Sequence, residues 1–346
     1  MRRGALLGVG HVAVGGHLPG WLARGDVDIV AGADARSQRR DLLLQSYPEA
    51  RWYDTAEELL AGEILDFIDV CTPPSSHADL VRAALARSVH VLCEKPLVLS
   101  PEELRGLPAL AAEKGRTLCT VHNRIHAPAL VKMTELVRSG AVGELRRARW
   151  ETLRDKPAAA AGDRDNWRVD PAQSGGGILV DHGWHALYTL SAWTGTAPVK
   201  IAARLETRKH AQWSIEDTAT VFLAYPSASA EIFLTWTAEG RANRVELEGT
   251  GGMLRLDGGR LSLESESAPP QEWSVAPLTE GSHHPDWFGG VIGDFFGEID
   301  DPAKRGRNLA EAALCVQVLE QARESSRRGG GPVGLRRMAG VPGAGA

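Results

Sequence analysis

Leu6-Leu7-Gly8-Val9-Gly10-His11-Val12-Ala13 decides how the N-terminal half of this chain is read. An apolar run, residues 5–9, leads into the spacing Gly-x-Gly-x-x-Ala, and a helical pattern follows it. Gly8 permits a tight turn, Gly10 lets a pyrophosphate approach the backbone, and Ala13 is small enough for close helix–strand packing. The helix N-terminus that begins at His11 and Val12 then presents free N–H groups and a partial positive charge to the anion. A second apolar run, residues 27–33, ends at Asp34, 21 residues beyond Ala13, a spacing that suits a carboxylate accepting ribose hydroxyls of NAD. Arg36, Ser37, Arg39 and Arg40 follow closely, and a guanidinium there can pair with a 2′-phosphate. NAD is the favoured cofactor because Asp34 would repel that phosphate, and NADP stays open.

Further apolar runs at residues 67–71, 89–93 and 118–121 alternate with helical patterns at 18–24, 39–45, 56–60, 77–87 and 101–113. Continuous rather than alternating apolar strands fit a parallel sheet covered on both faces. After residue 145 the pattern changes to strand-like segments at 145–152, 199–207, 219–225, 228–237, 244–249, 252–257 and 260–264. Turn signals such as Tyr225-Pro226-Ser227 and Gly258-Gly259 separate the later ones, which indicates an antiparallel meander. Helical patterns cover 178–193 and 308–325, and residues 156–162 read as a loop or short helix. The fold expected is α/β: a doubly wound parallel Rossmann sheet over residues 1–122, then an α+β domain with a large open, mostly antiparallel sheet over 123–333. A flexible glycine-rich tail, 334–346, closes the chain.

Composition narrows the function. A length of 346 residues suits two domains, and 43% hydrophobic with 24% charged residues suits a globular protein. A net charge of −5 argues against nucleic acid as a partner. No uncharged apolar run is long enough to span a bilayer, and the start is too short for a signal peptide, so a cytoplasmic protein without a membrane partner is expected. The four cysteines, Cys71, Cys93, Cys119 and Cys315, show no Cys-x-x-Cys spacing and read as reduced core thiols.

Six motifs in order resemble one family, the glucose–fructose oxidoreductase, inositol dehydrogenase and rhizopine-catabolism (Gfo/Idh/MocA) oxidoreductases. They are the glycine motif with His17-Leu18-Pro19, Cys71-Thr72-Pro73-Pro74-Ser75-Ser76-His77, Glu94-Lys95-Pro96, His122-Asn123-Arg124, the Gly175-Gly176-Gly177 triplet with Asp181 and His185, and Glu216-Asp217-Thr218-Ala219. The resemblance spans residues 4–333. It implies NAD- or NADP-dependent hydride transfer at a carbinol or keto carbon of a sugar, cyclitol or related small molecule. It also implies a homodimer or homotetramer built through the C-terminal sheet, and often a cis peptide before the proline of Glu94-Lys95-Pro96.

Hydride transfer from an alcohol needs a base for the hydroxyl proton and a donor for the developing alkoxide. Lys95 ends the fourth main strand, where parallel sheets bind ligands, so its ammonium is a candidate for the reacting oxygen. Asp181 and His185 are four apart, on one face if helical; His185 is the candidate acid/base, and Asp181 orients it or binds substrate hydroxyls. Many family members carry an aspartate where this chain has Tyr188, and His182 and Trp184 are also departures. Tyr188 donates a hydrogen bond or packs in the core. Arg124, Trp167, Arg168 and His182 complete the substrate candidates, with Trp167 offering an aromatic face to a sugar ring. Thr72, Pro73, His77, Glu94 and Asn123 join the cofactor candidates, His77 as a neighbour or helix cap rather than a titrating group. Asp181, His182 and His185, even with His283 and His284, do not make a persuasive zinc set, and no metal is expected. The competing reading is a non-catalytic dinucleotide-binding sensor of the same superfamily.

Overall fold

The computed structural model describes residues 1–159, 166–266, 268–280, 283–336 and 338. They fall into two compact units. One comprises Met1–Asn123 with His283–Ala313, the other residues 124–280 with 314–338. The expected tail lies mostly outside the described residues, as does the latter part of 156–162; residues 156–159 form no helix.

The first unit holds a six-stranded parallel sheet. Its strands are β1 (Arg2–Leu7), β2 (Val27–Ala33), β3 (Arg51–Tyr53), β4 (Phe67–Val70), β5 (His90–Cys93) and β6 (Leu118–Thr120), in the order β3-β2-β1-β4-β5-β6. This is the doubly wound order whose strand C-termini bind dinucleotides at the β1/β4 reversal. β4 and β5 are buried along their whole length, as sheets covered on both faces require. β3 escapes a hydrophobicity reading because its three residues are exposed or half-buried. Side-chain caps fix two helix starts: Thr55 accepts from the Glu58 N–H, and Ser100 from that of Glu103. At β6, the Asn308 side chain accepts the Thr120 N–H at 2.6 Å and donates to its carbonyl at 2.9 Å.

Residues 283–313 correct the expected boundary, which assigned them to the second domain. The helix Pro285–Asp300 buries Trp287, Phe288, Val291, Ile292, Phe295 and Phe296. Phe288 packs on Trp21 with ring centroids 5.6 Å apart, and Phe295 on Phe67 at 5.9 Å. Glycine at position 20 makes room, since a Cβ there would lie 2.4 Å from the Phe288 ring. Sequence continuity cannot reveal this return of the chain, because the aromatic face it covers, at Trp21 and Phe67, is more than 200 residues upstream.

The second unit holds a nine-stranded sheet. Its strands are β7 (Leu145–Leu153), β8 (Lys200–Glu206), β9 (Thr218–Ala224), β10 (Ser229–Thr235), β11 (Ala242–Gly249), β12 (Gly252–Asp257), β13 (Arg260–Ser265), β14 (Ala268–Ser274) and β15 (Val333–Gly334), ordered β14-β13-β12-β11-β7-β10-β9-β8-β15. It is mostly antiparallel. The meander expectation fails at one place: β7 and β10 pair in parallel, Ala148 opposite Ala230 and Trp150 opposite Ile232. β7 enters the sheet centre before the hairpins on either side exist, so adjacency in sequence does not describe it. One sheet face is apolar and covered. Trp150 packs against Trp193 of the helix Trp184–Thr194, and Ser325 donates to the Gly331 carbonyl while accepting the Ala203 N–H at 2.9 Å. No helix among the described residues is long and apolar enough to cross a membrane.

Candidate active site

In the first unit, β1 runs into Gly8, whose φ of +86° lies in the left-handed region that favours glycine. A Cβ there would also come within 2.8 Å of the Thr72 backbone nitrogen. Gly10 leaves the backbone open; a Cβ on it would meet only the end of the Arg39 side chain, at 3.4 Å. Helix follows at once through His11 and Val12 to Leu22, with a π-helical turn over Ala13–His17. Val9 donates its N–H to Asp34 at 2.8 Å, which ties the turn to the end of β2. These features fit the pyrophosphate half of a dinucleotide.

Asp34 is more engaged than its sequence position suggests. Oδ1 accepts the Arg36 N–H at 2.9 Å, and Oδ2 accepts Arg39 Nη1 at 2.9 Å. The Arg39 guanidinium offsets the charge on which the preference for NAD over NADP was argued. Thr72 and Pro73 form the turn after β4, where Thr72 accepts a hydrogen bond from Ser76 Oγ at 2.7 Å. His77 is fully buried, with Nδ1 2.8 Å from the Pro96 carbonyl and Nε2 2.9 Å from that of Thr72. Burial lowers its pKa, opposed by the Thr72 and Pro96 carbonyls, and the ring bridges the two loops that carry them. Asn123 opens the short helix Asn123–His126.

Lys95 lies two residues beyond the end of β5, and its peptide bond to Pro96 is cis. Its N–H donates to Glu94 Oε2 at 2.9 Å. Glu94 belongs to a buried network that sequence reading missed. His17 Nε2 lies 3.0 Å from Glu94 Oε1 and His17 Nδ1 2.9 Å from Asp69 Oδ2. Trp21 Nε1 donates to the same Asp69 oxygen at 2.7 Å, and Cys71 Sγ is 3.1 Å from His17 Nδ1. Burial opposes a charge on His17, yet the Asp69 carboxylate and the Cys71 sulfur outweigh it and hold its pKa well above the usual value. Burial likewise opposes ionisation of Glu94, and the His17 contact and the Lys95 charge overcome it, lowering its pKa. Burial and Asp69 push the Cys71 thiol upward, so it is inert. His17, Asp69 and Cys71 are also the one trio of His, Cys, Asp or Glu side chains among the described residues whose ligand atoms lie within 4.8 Å of one another. Hydrogen bonds among them account for that closeness.

In the second unit, the glycine triplet is held from below by Glu216. Its Oε1 accepts the N–H groups of Gly177 and Leu179, each at 3.0 Å. A Cβ on Gly177 would sit 1.8 Å from the Glu216 carbonyl oxygen, so only glycine fits. Leu179–Gly183 is a π-helical turn, and Trp184–Thr194 is α-helical. His185 Nδ1 lies 3.1 Å from the Tyr188 hydroxyl, and Asp181 lies 3.7 Å from His182. Tyr188 is fully buried, and its oxygen accepts the Arg124 N–H at 3.0 Å. Burial raises the Tyr188 pKa beyond the ordinary phenol range, so the hydroxyl stays protonated. Trp167 and Arg168 lie on a short turn capped by Asn166, and the Arg168 guanidinium stacks 4.4 Å from the Trp167 ring centroid.

Buried Arg154, absent from the sequence candidates, donates to Asn243 at 2.7 Å and to the Ala242 carbonyl at 3.0 Å. Nothing in the sequence marks this arginine, because its partners are 88 and 89 residues away. Glu216 was legible as part of a motif, without its role.

A parallel sheet in the 3-2-1-4-5-6 order, a glycine turn backed by an acidic residue, and a lysine at a strand C-terminus define a nicotinamide-nucleotide oxidoreductase class. The chain belongs to the Gfo/Idh/MocA family. The family model for the oxidoreductase NAD-binding Rossmann fold matches residues 2–122, and the model for the GFO/IDH/MocA C-terminal domain matches residues 130–255. The chain is 27% identical to D-apiose dehydrogenase of Paraburkholderia graminis over 80% of this chain and 75% of that one. It is 30% identical to trans-1,2-dihydrobenzene-1,2-diol dehydrogenase of Oryctolagus cuniculus over 68% and 69%. Among solved structures it resembles GenD2 from gentamicin A biosynthesis in complex with NAD, with a TM-score of 0.82, 25% identity and 97% of each chain covered.

Proposed function

We propose that this protein is an NAD-dependent dehydrogenase or ketoreductase acting at a CH–OH carbon of a sugar, cyclitol or related polyol. The observation that carries the reading is Lys95, held at the C-terminal end of β5 by the Glu94 carboxylate. NAD, when bound, accepts the hydride from the carbinol carbon. Gly8, Gly10, His11, Val12 and Ala13 supply the pyrophosphate cradle, and Asp34 and Arg36 border the ribose, with Thr72, Pro73, His77, Glu94 and Asn123 lining the rest of the cofactor site. Lys95 presents an ammonium that stabilises negative charge on the substrate oxygen. His185, held by Tyr188, exchanges the hydroxyl proton, and Asp181 and His182 bind neighbouring hydroxyls with Arg124, Trp167 and Arg168. The relatives named above, a D-apiose dehydrogenase and a dihydrodiol dehydrogenase, support a polyol-like substrate. We further infer that the protein works as a homo-oligomer assembled through the second sheet.

The test is nicotinamide absorbance with NAD+ or NADP+ and a polyol panel. Lys95→Ala and His185→Ala are each expected to lower kcat by about 10²–10⁴-fold with little change in NAD affinity. Near-normal turnover in both variants would remove the catalytic assignment.

A further inference from the structure

The second unit concentrates positive charge beside Tyr188 that hydride transfer to a neutral polyol leaves unused. Arg124 is only 8% exposed, and its Nη1 has no hydrogen-bond partner. No ion pair to its guanidinium occurs among the described residues. Its backbone N–H donates to the Tyr188 hydroxyl, the same oxygen that lies against His185 Nδ1. The Arg124 backbone and the candidate catalytic imidazole thus meet at one oxygen, and Tyr188 is also among the groups acting on the Arg124 guanidinium.

Arg154 adds to this charge. It is 4% exposed and donates only to neutral acceptors: the carbonyls of Leu153 and Ala242 and the side chain of Asn243. Those bonds orient the guanidinium without cancelling its charge. They also place it against the start of β11, which Arg241 immediately precedes. Burial first, and then Arg124 and Arg241, lower the Arg154 pKa to about 9, while Asp181 and Asp155 oppose the shift. Burial and Arg241 likewise lower that of Arg124, opposed by Tyr188 and Asp181. Three guanidiniums therefore share a region in which Asp181 is the carboxylate acting on both buried ones. A buried charge without a partner destabilises a fold, and a guanidinium fork is shaped to receive a planar or tetrahedral oxyanion.

We infer that the substrate carries an oxyanion, a carboxylate or a phosphate monoester, received by Arg124 next to His185, with Arg154 and Arg241 supporting the positive field. This rests on the oxidoreductase reading of the same site and narrows its substrate class to acidic polyols.

The experiment measures binding by calorimetry to the NAD-loaded full chain, using D-glucose, D-glucuronate and D-glucose 6-phosphate as matched probes. At least one anion should bind tenfold or more tightly than glucose, and which one does so separates carboxylate from phosphate. Arg124→Gln should abolish that preference, the favoured anion losing at least tenfold more affinity than glucose does, and Arg124→Lys should restore part of it. The melting temperature of Arg124→Gln should equal or exceed that of the wild type, because a charge without an ion pair is removed; a purely structural arginine would give a lower one. Equal binding of all three probes would overturn the inference, as would an Arg124→Gln protein that loses all three together or melts well below the wild type. Preferential anion binding without NAD reduction would leave this site standing and remove the dehydrogenase reading instead.

Discussion

His17 has a carboxylate on each ring nitrogen, so both nitrogens donate and the ring is an imidazolium. Its raised pKa means that its stabilising contribution is complete below the unfolded value of about 6.5 and is lost as pH rises through the folded value. Glu94 behaves in the opposite sense. Its lowered pKa gives stability that is present above its ordinary value and lost as pH falls through the folded one. Glu94→Gln should therefore weaken the acid-side loss of stability and move the alkaline loss to lower pH, because His17 keeps only one carboxylate. Melting temperature against pH checks this; superimposable curves for variant and wild type would refute it. Tyr188→Phe should cost about 1–3 kcal/mol in denaturant unfolding, because the Arg124 N–H and His185 Nδ1 both lose their partner. The glycine motif and Asp34 were singled out from spacing, and Lys95 and His185 as candidates from the family motifs. Their partners were not, since the contacts from His17 to Asp69 and to Glu94 span 52 and 77 positions.

At the scale of elements, one feature in each unit carries its architecture. The helix Pro285–Asp300 fills the face formed by Trp21 and Phe67. Phe288→Ala should destabilise by about 3–5 kcal/mol in denaturant unfolding, as expected for emptying a fully buried aromatic position. The glycine triplet stands against the Glu216 backbone. Gly177→Ala should displace the turn that begins at Leu179 and lower turnover more than NAD affinity, read from kcat alongside nucleotide titration. Leu179–Gly183, between the glycine triplet and the helix that carries His185, is a π-helical turn, wider than 3.6 residues per turn. Strand-rich segments were readable from apolar alternation. The parallel β7–β10 pair was not, because pairing between strands some 80 residues apart leaves no local trace.

At the scale of the whole molecule, the uncovered face of the second sheet is charged. Arg147 faces Glu248, Arg149 faces Glu246 and Arg244 faces Glu151 across β7 and β11, and Arg255 pairs with Glu264. If copies of the chain associate through this face, the contact is made by ion pairs rather than by an apolar patch. The oligomer fraction measured by sedimentation should then fall as salt rises from about 0.05 M to 0.5 M, since screening weakens exposed charge pairs. Association unaffected by salt would place the contact elsewhere.

Periodicity and glycine spacing by themselves determined the Rossmann half and the strand-rich second half, while the family and the candidate catalytic side chains came from the resemblance that the six motifs carry. These depend on neighbours within a few residues, where strand and helix periods and turn conformations leave their mark. Tertiary structure alone decided which groups hold those side chains: Glu94 and His17 behind Lys95, Tyr188 on His185, Glu216 under the glycines, and the return of residues 283–313 to the first unit. Burial and hydrogen bonding between distant segments set these charges and orientations, and such contacts come into being only when the chain has folded.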